Sequence, residues 1–165
     1  FGRRDGAWGA AVADLLLATV PRPGERPTLA GIRQAAAGVR WAPRAETGQL
    51  ASGAFRDLKV SVRGTAAQPN EFTASWGKTG ADLPYDVAEA LRLRGARLDL
   101  VACQKFGGGE GERTFAVTLT GKAPFGLTIF QRAAPTANAY SLYAASVTLD
   151  GRHPRRGVVQ DCDFF

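Results

Sequence analysis

The sequence predicts an α+β domain in which two N-terminal helices precede strands and a helix in the order β-β-α-β-β-β-β. Apolar residues recur at helical spacing in the first forty residues. Between Arg113 and Thr120, by contrast, every second residue is Phe, Val or Leu, a period of two that is typical of a half-buried strand. Strand-like segments with tight turns then follow one another, which favours a mostly antiparallel sheet, and we expect both of its faces to be covered.

The first forty residues predict a helical hairpin. Pro21 and Pro23 end the first helix, and Pro27 with Thr28 begins a second helix of about three turns. We expect the second helix to pack against the first. The apolar stripe of the first helix contains Trp8, Val12, Leu15 and Leu16.

The middle of the chain predicts a connection, a β-hairpin and a third helix. Residues 41–53 show no period and indicate an exposed connection. Alternation then returns in 55–63 and in 71–76, which predicts two paired strands. The third helix begins near Pro84, and Gly95 is placed to cap its end. We expect this helix on one sheet face and the helical hairpin with the tail on the other.

The last strands and the tail complete one domain of residues 1–165. Residues 97–106 are apolar on both sides, which predicts a central strand, and three more strands follow up to Leu149. The domain divides into a helical hairpin, residues 1–40, a sheet with one helix, residues 54–150, and a C-terminal tail, residues 151–165. The sequence shows no internal repeat.

Cys103 and Cys162 are the only cysteines. If Cys103 faces one side of its strand, the apolar tail can bring Cys162 to it, so we predict a disulfide between them. In the chain-entropy model, a bond that closes a loop of about 60 residues contributes roughly 4 kcal/mol. Two unpaired thiols are the alternative.

Composition favours an exported protein. No apolar run approaches the ~20 residues of a membrane span, so we expect no transmembrane segment. The chain contains no Met, so we expect it to be a processed or trimmed product. We favour a leader before Phe1, either secretory or lipid-anchoring, and a trimmed start is the alternative. A disulfide fits the same compartment, so we predict a periplasmic or secreted protein of a bacterial envelope.

The sequence contains no pattern that specifies catalysis, a metal or a cofactor. The glycine-rich stretch 107–112 lacks the Lys and Ser/Thr of a phosphate loop and opens into a strand. His153 is the only histidine, and with two cysteines it leaves too few ligands for zinc. We therefore predict no catalytic or metal-binding residues and no cofactor.

Three functions remain open. We favour a non-enzymatic binding or assembly module that acts through a sheet face or cleft, with an envelope protein or anionic lipid headgroups as partner. Aromatic and arginine side chains are the usual anchors of such surfaces, and the candidates are Trp76, Tyr85, Arg92, Arg94, Arg97, Tyr140 and Tyr143.

The alternatives are a hydrolase and a polyanion-binding protein. The hydrolase would use dispersed carboxylates near the third helix, such as Asp82, Asp86 and Glu89. The net charge of +6 suits a polyanion, which would be bound by Arg92, Arg94, Arg97, Arg155 and Arg156. The basic residues are spread along the chain, and specific nucleic-acid recognition is not expected.

Overall fold

A computed structural model describes residues 6–77, 83–107, 110–132, 142–159 and 162. Within these residues the protein has three helices and one eight-stranded antiparallel sheet, which confirms the α+β class. The strands lie in the order β1-β2-β3-β4-β8-β7-β6-β5. The element bounds are α1 Gly6–Thr19, α2 Leu29–Ala35, β1 Arg40–Trp41, β2 Ala51–Phe55, β3 Leu58–Gly64, β4 Pro69–Trp76, α3 Leu83–Leu93, β5 Arg97–Gly107, β6 Glu110–Thr118, β7 Phe125–Arg132 and β8 Leu142–Thr148.

The helix ends follow local signals in the sequence. Thr28 caps α2 by accepting a hydrogen bond from the Gly31 amide at 3.0 Å. Pro27 therefore lies before the helix, and α2 has two turns where we predicted three. At the end of α3, Gly95 has a φ of 90°, and the amides of Gly95 and Ala96 donate to the carbonyls of Arg92 and Leu91. This is a Schellman motif, in which glycine is favoured because φ is positive.

One face of the sheet forms the core with α1 and α3. The two helices pack against each other, and α1 also contacts β4 while α3 contacts β5 and β8. Arg94, which directly follows α3, joins the two helices at the surface through a bidentate ion pair with Asp14 of α1, at 2.7 and 3.1 Å. Our prediction that α3 and the helical hairpin cover opposite faces is therefore wrong. The most deeply buried core side chains include Val12, Leu16, Phe72, Val87, Leu91, Leu127 and Val147.

Gly9 lets α1 approach α3 closely. A Cβ atom built at Gly9 would lie 2.5 Å from the Cβ of Asp86 and 2.8 Å from its backbone carbon. Both atoms are held by the α3 backbone, so the helices would have to separate to admit a methyl group.

We therefore expect Gly9→Ala to destabilise the fold. Overpacking costs about 1–3 kcal/mol, which exceeds the ~1 kcal/mol that alanine gains over glycine inside a helix. Urea denaturation measures the difference in the free energy of unfolding. Gly77→Ala is the control, because nothing lies within 4 Å of a Cβ at that exposed position. Equal midpoints for the two variants would contradict the close packing.

The sequence prediction missed two strands, β1 and β2. The predicted connection 41–53 contains part of β2, which pairs with β3 across a two-residue turn. Arg56 in that turn has a φ of 53°, as primed hairpin turns require. β2 reads Ala-Ser-Gly-Ala-Phe and offers no β-branched residue, so its sequence carries little strand signal.

The predicted central strand lies at the end of the strand order. β5 pairs with β6 alone among the eight strands, and its register shifts between Leu100 and Ala102. Because of this bulge, Cys103 faces the helices like Leu100, and Ala102 faces away from them. The apolar residues on both sides of β5 are explained by the core on one side and the tail on the other.

The tail crosses the second face and seals the outer edge of β5. Pro154 lies on Gly126 of β7, and Gly157 lies on Ala102 of β5. His153 bonds to the Val117 carbonyl at 2.9 Å. The Gly157 and Cys103 amides then donate to the carbonyls of Val101 and Val158, both at 2.8 Å, and a parallel bridge joins Cys103 to Val159.

The predicted disulfide between Cys103 and Cys162 is present. It closes a loop with a sequence separation of 59 residues and holds the tail against β5. The carbonyl of Cys162 also accepts a hydrogen bond from the guanidinium of Arg113. The end of the tail is therefore attached at two points.

The topology repeats although the sequence shows no repeat. Each half of the chain is helical first and then forms a four-stranded meander, β1 to β4 and β5 to β8. The two meanders meet through their last strands, β4 and β8, which pair antiparallel. The strands β1 to β4 therefore follow one another from one edge of the sheet to its centre, and β5 to β8 do the same from the other edge.

Candidate functional site

The sheet face that points away from α1 and α3 carries a row of hydroxyl side chains. Residues on this face alternate with the core residues of each strand, and the strand registers align one hydroxyl per strand across six strands. At ~4.8 Å per strand the row is roughly 24 Å long. The hydroxyl row consists of Ser52, Ser61, Thr73, Ser146, Thr128 and Thr114.

Hydrogen bonds within the row fix its central side chains. The Thr73 hydroxyl donates to Glu71 at 3.1 Å, so the 2.7 Å contact with Ser146 has Ser146 as its donor. Thr114 and Thr128 are hydrogen-bonded at 3.1 Å. These four side chains are therefore already ordered, so contact with a ligand would cost them little conformational entropy.

A wall at each end turns this face into a trough. At one end, the rim loop, residues 42–50, lies against Ser52, whose hydroxyl accepts from the Glu46 amide at 2.9 Å and donates to Gln49. At the other end, the tail segment, residues 152–159, crosses β7 and β5 as described above. We call the face between these walls the trough.

The trough floor is mixed in character. Beside the hydroxyl row, in register with one another, lie Ser75, Ala144, Phe130 and Glu112. Partial burial raises the pKa of the Glu112 carboxyl above its ordinary value of 4.5, and the negative charge of Glu71 raises it further. An apolar centre with polar and charged surroundings resembles the anatomy of protein interfaces.

The predicted aromatic candidates do not form one surface. Trp76 and Tyr143 are stacked with centroids 6.0 Å apart and planes at 18°, and both are buried on the helix side of the sheet. The sequence already indicates that side, because Trp76 is in step with Phe72 and Ala74 along β4, and Tyr143 is in step with Ala145 and Val147 along β8. Tyr140 lies outside the described residues.

Tyr85 and Arg92 do share a cleft, which lies between α3 and the sheet. Its volume is about 390 Å³, and its lining includes Phe115, Ile129 and Arg113 together with the predicted carboxylates Asp86 and Glu89. The main chain and Cβ of Asp86 are packed at the contact with Gly9 of α1, so this residue has a structural role in joining the helices. Asp82 lies outside the described residues.

The predicted basic patch is divided. Arg94 is paired with Asp14, and Arg97 is paired with Asp99 at 3.2 Å, so both charges are offset at the surface. Arg92 belongs to the α3 cleft, and Arg155 with Arg156 belongs to the tail segment. The sequence prediction did not single out Arg40, Arg44 and Lys59, which line a separate cleft beside the rim loop.

The described residues contain no group of three or more side chains of the types that hold a metal ion. None of the helices described is long and apolar enough to cross a membrane. Comparison of the chain with protein-family models, with curated proteins and with solved structures finds no match.

Proposed function

We propose that this protein is an exported, non-enzymatic module of a bacterial envelope that binds a partner protein in the trough. The observation that carries the proposal is the hydroxyl row, which crosses six strands at one level and in which four of the six hydroxyls are hydrogen-bonded in pairs. The disulfide supports an oxidising compartment.

The surroundings of the row favour a protein partner. Ala144 and Phe130 provide a half-buried apolar contact at the middle of the trough. Apolar groups at the centre of a surface, enclosed by hydroxyl and charged groups, are the pattern of protein interfaces, where anchor residues lose contact with water.

Site-specific photo-crosslinking in the source cell tests this proposal. We expect a photoreactive amino acid at Ser146 to give one discrete adduct with an envelope protein, and the same amino acid at Leu93 to give none. Leu93 is 77% exposed and lies on the helix side, so it reports on non-specific capture.

A pair of charge variants makes the test specific for the trough. Thr73→Glu places a second carboxylate beside Glu71 on the hydroxyl row and should abolish the Ser146 adduct. Leu93→Glu introduces the same side chain at an exposed position of α3 and should leave the adduct intact. An adduct that survives Thr73→Glu in a folded protein, or equal adducts at positions 93 and 146, would refute the proposed function.

A further inference from the structure

A cleft at the rim-loop end of the trough carries an excess of positive charge. It has a volume of about 600 Å³ and lies between the rim loop and the strands β2 to β4. Ligand sites commonly have volumes of about 300–1,000 Å³. We call it the basic cleft, and the residues that matter for its chemistry are Arg40, Arg44, Glu46, Lys59, Ser61 and Ser75.

Two of the three cationic side chains in the basic cleft are not paired with another charged or polar group of the described residues. Neither Arg44 nor Lys59 has a hydrogen-bond or ion-pair partner for its side chain among the described residues. Arg40 donates only to the backbone carbonyl of Arg56, at 3.2 Å. Glu46 is the single carboxylate among the residues that line the cleft. The local excess of charge therefore favours an anion from outside the chain.

Hydroxyl groups complete an anion site beneath these charges. The side chains of Ser61 and Ser75 have no hydrogen-bond partner among the described residues, so both hydroxyls can donate to a ligand oxygen. Ser52 has another role, because its hydroxyl binds the Glu46 amide and Gln49 and thereby fixes the rim loop. The rim loop, which carries Arg44, is thus held in place by Ser52 of β2.

The residue types that line the site favour a carboxylate-bearing peptide over single-stranded nucleic acid. Single-stranded nucleic acid is held largely by stacking on aromatic rings, and none of the residues that line the basic cleft is aromatic. Arginine binds carboxylates through paired hydrogen bonds. The cleft also contains Ser61 of the hydroxyl row, so a chain anchored there can continue along the trough.

We propose that the basic cleft binds an acidic, extended segment of the partner protein, with Arg44 and Lys59 engaging its carboxylates and Ser61 and Ser75 donating hydrogen bonds. This inference rests on the proposed function, because it places the partner in the trough. A segment of about eight residues would match the row, since an extended chain of that length spans roughly 26 Å.

Amide NMR titration with a synthetic peptide of about eight residues, alternating Glu and Gly, tests the inference on the full chain. We expect chemical-shift changes concentrated at Arg44, Lys59, Ser61 and Ser75. The Gln-Gly counterpart should cause none, and the Glu-Gly affinity should fall as NaCl rises from about 50 to about 500 mM.

Matched charge reversals provide the decisive comparison. The double substitution Arg44→Glu and Lys59→Glu should weaken the affinity for the Glu-Gly peptide by at least about tenfold. Arg22→Glu with Arg26→Glu changes the net charge equally at exposed positions between α1 and α2 and should change affinity by less than about twofold. Equal losses in both variants, or shifts located elsewhere, would overturn the inference.

Two further ligands distinguish an acidic peptide from nucleic acid and from anionic lipid as the occupant of the basic cleft. Oligothymidylate or vesicles containing phosphatidylglycerol that bind the same residues more tightly than the peptide would also overturn the inference. Its failure is distinguishable from failure of the proposed function. If the Ser146 adduct depends on Thr73 but the peptide does not bind, only the acidic segment is wrong, whereas peptide binding without a Thr73-dependent adduct refutes the trough as the partner site.

Discussion

Phe72→Ala is expected to lower the free energy of unfolding by about 3–5 kcal/mol, because it leaves a cavity in the centre of the sheet. Phe72 is fully buried and faces Val147 across the junction of β4 and β8. Its ring lies where the two halves of the fold meet, so the truncation weakens both halves. Urea denaturation followed by circular dichroism measures the loss.

The adjacent residue supplies the control for this prediction. Thr73 belongs to the same strand and points into the trough, where its hydroxyl bonds to Glu71 and Ser146. Thr73→Ala should cost only about 0.5–1.5 kcal/mol, the usual net contribution of a hydrogen bond. A loss for Thr73→Ala that equals the loss for Phe72→Ala would contradict the assignment of the two faces.

Cys162→Ser is expected to lower the free energy of unfolding by about 2–5 kcal/mol. The substitution opens the loop of 59 residues between the cysteines, so the unfolded chain gains conformational entropy. The tail would also lose its covalent attachment at the edge of β5. Urea denaturation without reductant measures the effect, and a thiol assay of the unfolded wild type should find no free cysteine.

Reduction of the wild type separates the covalent bond from packing. The wild type in excess reductant should match Cys162→Ser, because both lack the cross-link. Cys103→Ser should lose somewhat more, since Cys103 is 1% exposed and a hydroxyl there replaces a buried sulfur. If Cys162→Ser and the oxidised wild type unfold at the same urea concentration, the bond contributes nothing to stability.

Local signals in the sequence were sufficient for the helices and the longer strands. Pro21 follows the end of α1, Gly95 caps α3, and period-two alternation identified β3, β4, β6 and β7. The disulfide also followed from the chain alone, because only two cysteines are present. These features depend on residues that are near in sequence or on a single possible pairing.

Features that depend on tertiary placement could not be read in the same way. The bulge at Val101 reverses which residues of β5 face the helices, and no residue near it signals this change. Alternation along the chain places Ser61 and Thr73 on the opposite side of their strands from the apolar residues. Their alignment into one row depends on the registers of separate strand pairs, which local patterns do not specify.

The aromatic binding candidates show a different limit. Tryptophan and tyrosine are frequent at interfaces, but Trp76 alternates in step with Phe72 and Ala74, and Tyr143 with Ala145 and Val147. Periodicity along each strand was therefore better evidence for their position than residue type. The basic cleft combines residues from the rim loop with residues from β1 and β3, and it exists only in the folded chain.

The meeting of β4 and β8 has a consequence for biogenesis. Thr73 and Ser146 bond to each other across 73 residues of sequence, so the edge of β4 that faces away from β3 has no partner strand until the chain has been synthesised as far as β8. Contacts this distant in the chain slow folding. During that interval the open edge of β4 can pair with strands of other chains, so a nascent chain of this topology is protected from aggregation at this edge only once β8 has been added.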